Sequence, residues 1–149
     1  MQALANELRS EVNRTTPVLL AIADEKAALP RLEGGWSRKQ ILGHLIDSAA
    51  NNHQRFVRLQ FETNLVLPGY QQNNWVNAQH YEGSMWTDLV LLWRAYNLHL
   101  AHVIAHIDPG SLGNIWKFSE GDLTLEEIAT DYLRHLRHHL AQITNNQPS

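Results

Sequence analysis

The sequence contains no cysteine. That removes disulfides and thiolate ligands together, so any bound metal has to sit on histidine, aspartate or glutamate. No apolar run approaches the roughly 18 residues that suggest a transmembrane helix. Charge of one sign is scarce. The 12 Lys and Arg against 15 Asp and Glu leave a net charge of −3, which offers no basic surface to nucleic acid. The opening stretch MQALANELRSEVNR is amphipathic and charged, and it lacks the apolar core of a signal peptide. These absences leave a soluble cytoplasmic protein as the expectation. HExxH is also missing, which argues against a zincin-type protease.

What is present is unusual in one respect: nine histidines and five tryptophans in 149 residues. The apolar fraction of 44% is ordinary, and the length suits a single domain, 1–149, with one core.

Apolar residues recur at three- to four-residue spacing in four runs. The first spans about 2–27, with Pro17 expected to kink or divide it. Residues 29–35 read as a loop. The second run starts at Ser37, whose partner Gln40 completes a capping box, and continues to about Phe61. A long connection, 62–83, follows, in which 71–81 could form a short helix. The third run covers about 84–107. The fourth opens with a second capping box, Thr124 and Glu127, and ends near Thr144, beyond which 145–149 should fray. No strand signal is strong, although GNIWKF before the last helix could be extended. Four such helices predict an all-α four-helix bundle, and the long connections allow a crossover topology.

Helical wheels then sort the histidines. His135 and His139 are one turn apart on the last helix, at one shoulder of its apolar stripe, and His138 points away with Arg134. An i, i+4 pair of imidazoles can share a metal ion. On the second helix His44 heads a polar seam that continues through Ser48, Asn51 and Arg55. If the two helices are neighbours, His44, His135 and His139 can converge. The row His99, His102, His106 lies opposite the stripe of its own helix and reads as a solvated face or a subunit contact. His53 and His80 read as edge or loop residues. Asp47, one turn from His44, could support it as a hydrogen-bond acceptor, although the wheel places it toward the exposed side. Asn51 and Arg55 are candidates for substrate contact. Trp75 and Tyr70, on the long connection, could wall the mouth of a pocket.

The motif W-S-x-x-x-I-L-x-H-L-x-D at Trp36–Asp47, joined to H-x-x-H-H-x-x-Q-I at His135–Ile143, resembles the DinB-like superfamily. That group includes DNA-damage-inducible DinB proteins, metal-dependent hydrolases, and bacillithiol or mycothiol S-transferases. The resemblance implies a crossover four-helix bundle, often homodimeric. It also implies a divalent metal on three histidines, here His44, His135 and His139, the set the wheels select independently. All-histidine ligation suits Zn, Ni and Fe almost equally. The function expected is a metal-dependent enzyme acting on a small molecule, either a thiol S-transferase using a low-molecular-weight thiol or a hydrolase. The alternative is a non-catalytic, stress-linked metal-binding or structural helical dimer. Neutral imidazole being the ligand form, metal occupancy is expected to fall as pH drops through about 6.

The dimer expectation has a direct check. Sedimentation at tens of micromolar, a concentration chosen on the order of weak-interface affinities, should give the mass of two chains. A monomer there would contradict it.

Overall fold

A computed structural model describes residues 1–30, 35–119 and 121–144. The expected fraying tail and most of the first expected loop lie outside these residues. Four long helices dominate: α1 (Gln2–Leu20), α3 (Arg38–Arg58), α5 (Trp86–Ala105) and α6 (Leu125–Thr144). Two short helices, α2 (Asp24–Ala28) and α4 (Gln72–Gln79), sit in the connections. The first apolar run is indeed divided, but after Leu20, because α1 continues one turn past Pro17.

Around the bundle the helices follow the order α1, α5, α3, α6, each packed on the next and α6 on α1. Consecutive long helices α1 and α3 are therefore diagonal, as are α5 and α6, which is a crossover arrangement. Arg38 Nε donates to the Ile143 carbonyl at 3.1 Å, and His44 meets His135. One helix thus ascends while the other descends, so α3 and α6 are antiparallel neighbours.

Both capping boxes form. Ser37 Oγ accepts from the Gln40 amide, and Gln40 Oε1 accepts from the Ser37 amide at 2.9 Å. The Thr124 amide donates to Glu127 Oε2 at 2.8 Å, and the Glu127 amide donates to Thr124 Oγ1. Each box satisfies donors that a helix start leaves unpaired.

Three short strands accompany the helices, one of them inside the GNIWKF stretch expected to be extended. β1 (Asn64–Val66) pairs parallel to β2 (Ile115–Phe118), which pairs antiparallel to β3 (Gly121–Thr124). Strands of three and four residues are too short to show alternation in sequence. The sheet still has an inside. Leu65 and Trp116, directly opposite in register, are both buried. Trp116 Nε1 donates to the Leu67 carbonyl at 2.7 Å.

The long connection returns to α3 and covers the flank that neither α5 nor α6 reaches. Tyr81 lies across Gly43, where a Cβ would sit 2.1 Å from the Tyr81 ring. The Tyr81 hydroxyl donates to Asp47 Oδ1 at 2.7 Å, which fixes the ring in place. Lys39, buried at the start of α3, pairs with Asp24 of α2 and donates to the Ser84 carbonyl. Asp24 accepts the Trp86 amide as well, joining the start of α5 to the same corner.

Gly43→Ala should therefore destabilise the fold by about 1–3 kcal/mol through overpacking, despite alanine's better helix propensity. Thermal unfolding checks this, and an alanine variant at least as stable as wild type would contradict the contact.

Candidate metal centre

Three helix turns place the histidines. His44 comes from the α3 segment Ile41–Ala49, in which every residue is buried, and is itself only 2% exposed. His135 and His139 stand one turn apart on α6, both half-buried. Antiparallel packing brings α3 and α6 face to face here. One ligand atom from each of the three lies within 4.8 Å of the others. Among the described residues, this is the only such group of three or more potential ligands.

His44 Nε2 and His135 Nε2 are 3.1 Å apart. Without a cation between them, one nitrogen has to carry a proton and donate to the other. Ligand nitrogens around a tetrahedral ion with metal–nitrogen bonds of about 2.0–2.1 Å would stand ~3.3 Å apart, so the observed spacing fits a shared ion. His139 is oriented from behind: its Nδ1 lies 2.7 Å from Gln142 Oε1. As the donor in that bond, Nδ1 bears the proton and Nε2 is left free to ligate. Gln142 Nε2 donates in turn to His138 Nε2 at 3.1 Å, and His138 itself is exposed. The Trp36 ring is 5.3 Å from that of His44.

Burial disfavours the charged imidazolium. His44 is held down to about 3, first by burial and then by His139 and His135. His135 is held down to about 4, again chiefly by burial, with Asp131 pulling the other way. His139 is lowered by burial, partly opposed by its bond to Gln142. The site therefore presents neutral imidazoles, the form a metal requires.

From His44 and His135 a cavity of about 220 Å³ runs along α3, past Ser48 and Asn52 to Arg55, and Tyr70 and Trp116 form part of its wall. The residues singled out from sequence divide here. Arg55 lines the cavity. Asn51 is turned aside, donating to the Asp47 carbonyl at 2.9 Å, and its neighbour Asn52 takes the lining position. Trp75 is 39% exposed and packs on the outside of Tyr70, with ring centroids 5.1 Å apart.

Asp47 is only 2% exposed, against the outward placement its wheel suggested. A wheel places a residue only against the apolar stripe of its own helix, and the returning connection buries the other flank. Asp47 Oδ1 accepts from Tyr81 and Gln79, while Oδ2 has no partner; His44 Nδ1, one turn away, is likewise buried without one. Burial raises the Asp47 pKa. His99, His102 and His106 are exposed, as the helix pattern indicated. His53 reaches Tyr96, and His80 caps α4 with φ of 50°.

Trp116 and Gln142 were not singled out from sequence. Gln142 stands within the last motif and could have been found as a residue one turn from His138 and His139. Trp116 stands in the GNIWKF stretch expected to be extended, but its place at the cavity depends on pairing with β1, which no local pattern reveals.

Comparison with known proteins agrees with this architecture. A protein of Bacillus mycoides named "Putative metal-dependent hydrolase" is 24% identical over 140 residues, covering 93% of this chain and 80% of its own length. One of the same description from Oceanobacillus iheyensis is 24% identical over 141 residues, covering 94% and 81%. The fold matches that of YfiT from Bacillus subtilis, described as a probable metal-dependent hydrolase with an unusual four-helix bundle topology. The TM-score is 0.84 at 21% identity, over 95% of this chain and 82% of that one. The model of the DinB superfamily matches residues 7–143, so the chain belongs to that superfamily.

Proposed function

We propose that this protein is a metal-dependent hydrolase of small molecules, in which His44, His135 and His139 hold one divalent ion, Zn, Ni or Fe. The observation that carries the reading is the convergence of three neutral imidazoles, two of which, His44 and His135, line one end of a cavity able to take a small molecule. Its named relatives support the reaction class. When bound, the ion supplies Lewis acidity, lowering the pKa of a water or thiol set beside it.

The chain's own groups do the rest. Gln142 holds the His139 tautomer. Trp36 and Tyr70 flank His44 and limit water. Among the lining residues the one carboxylate is Asp131, which is paired with Arg134. No unpaired carboxylate therefore lines the cavity, and a bound ion would supply the activation of the nucleophile. That arrangement equally suits a low-molecular-weight thiol, which makes thiol S-transfer the second reading. Turnover of small esters or amides without added thiol separates hydrolysis from transfer. Consumption of an electrophile only with a thiol present would favour the second.

Metal titration of untagged protein tests the site. His44→Ala, His135→Ala and His139→Ala should each weaken binding by at least about 100-fold, since even an outer partner is worth about 10–100-fold. Gln142→Leu should cost about 10–100-fold, and His138→Ala and His102→Ala almost nothing. Equal losses at His135 and His138 would contradict the assignment.

The lowered pKa values revise the acid limit. Occupancy should persist as pH falls through about 6 and be lost toward about 4, the value for His135. The sign for stability is the same. Below pH ~6.5 the unfolded chain binds protons at these histidines that the folded, metal-free chain does not, so their contribution is full above that pH and lost as pH falls. With chelator present, the unfolding midpoint of wild type minus that of His44→Gln should shrink from pH 7 to 4. A constant difference would mean that His44 titrates normally.

A further inference from the structure

Arg55 is a buried cation that no carboxylate among the described residues neutralises. It is 5% exposed and belongs to none of the ion pairs among the described residues. Its guanidinium carbon stands over Trp116, 3.6 Å from the ring centroid, so that side of the group is occupied. Nη1 donates to Asn52 Oδ1 at 3.0 Å. Nε is buried and has no hydrogen-bond partner among the described residues. A desolvated guanidinium with an unmade hydrogen bond is costly to keep unless an anion completes it. Burial pulls its pKa down to about 10, which leaves it fully charged at neutral pH.

The same side chain lines the cavity that begins at His44 and His135. On α3, Arg55 follows His44 by three turns, about 16 Å of helix axis. Helical side chains lean toward the N-terminus, so the guanidinium reaches back toward the histidines.

We infer that Arg55 is an anion anchor: the cavity takes a small molecule carrying a carboxylate, which pairs with the Nε side of Arg55 while its reacting group lies by the three histidines. A carboxylate is chosen over phosphate because one uncompensated guanidinium matches a monoanion, whereas a phosphate near neutral pH brings closer to two negative charges into a buried site that offers no second unpaired cation among its lining residues. The indole also keeps the fork rigid, so little entropy is lost when the anion binds. That this anion is the substrate rests on the hydrolase reading above. The anion site itself does not, because none of its groups is a histidine of the centre.

The test uses full-length, metal-free protein and reads the ¹H–¹⁵N resonance of Arg55 Nε, assigned by its loss in Arg55→Lys. Acetate should shift this resonance saturably. Inorganic phosphate should do so at least several-fold more weakly. In Arg55→Lys, acetate binding, followed through the Asn52 side-chain amide, should weaken roughly tenfold, the equivalent of one lost charge-assisted bond of about 1.4 kcal/mol. His138→Ala, which lies outside the cavity lining, should keep the wild-type response. If metal titration fails while this response persists, the hydrolase reading falls and the anion anchor stands. No saturable shift with either anion, or undiminished acetate binding in Arg55→Lys, would overturn the anchor. Tighter phosphate than acetate binding would overturn the choice of carboxylate.

Discussion

The approach of His44 to His135, two imidazole nitrogens 3.1 Å apart across the α3–α6 interface, is the constraint on which the rest of the site depends. It requires α3 and α6 to be antiparallel neighbours in fixed register. The Arg38–Ile143 bond holds that register at one end. The Ser37 capping box sets where α3 begins, and with it which residues face α6. Shifting α3 by one residue would rotate His44 by about 100° and remove it from the group.

Burial gives this contact its chemistry. An exposed histidine pair would be partly protonated near neutral pH and would bind a metal in competition with protons. Here the returning connection, through Tyr81 and Tyr70, helps to enclose α3. The imidazoles stay neutral as a result. The same enclosure leaves unpaired polar atoms at Asp47 and Arg55. Cores retain such atoms rarely, since each is costly, and both stand on the helix that carries His44.

Much of this was legible in sequence because it is local. Capping boxes depend on residues three apart, and the His135–His139 pair on residues four apart. The seam from His44 to Arg55 follows helical spacing. The assembly of the three histidines needed one further step, the adjacency of α3 and α6, which the family resemblance implied. What escaped was non-local. Asp47 was placed outward because a wheel knows nothing of a connection that folds back on its helix. The pairing of β1 with β2, which seats Trp116 beneath Arg55, joins segments that α4 and α5 separate in the chain. Asn52 rather than Asn51 lines the cavity, a difference of one residue that turns on the exact phase of α3.

The central claim is that three named nitrogens hold one ion. Anomalous diffraction from crystals of the zinc-loaded protein tests it most directly. The account predicts a single strong site about 2.0–2.1 Å from Nε2 of His44, His135 and His139, with at least one position open toward the cavity. A principal site on the exposed His102–His106 pair, or an ion that leaves His44 unligated, would contradict it.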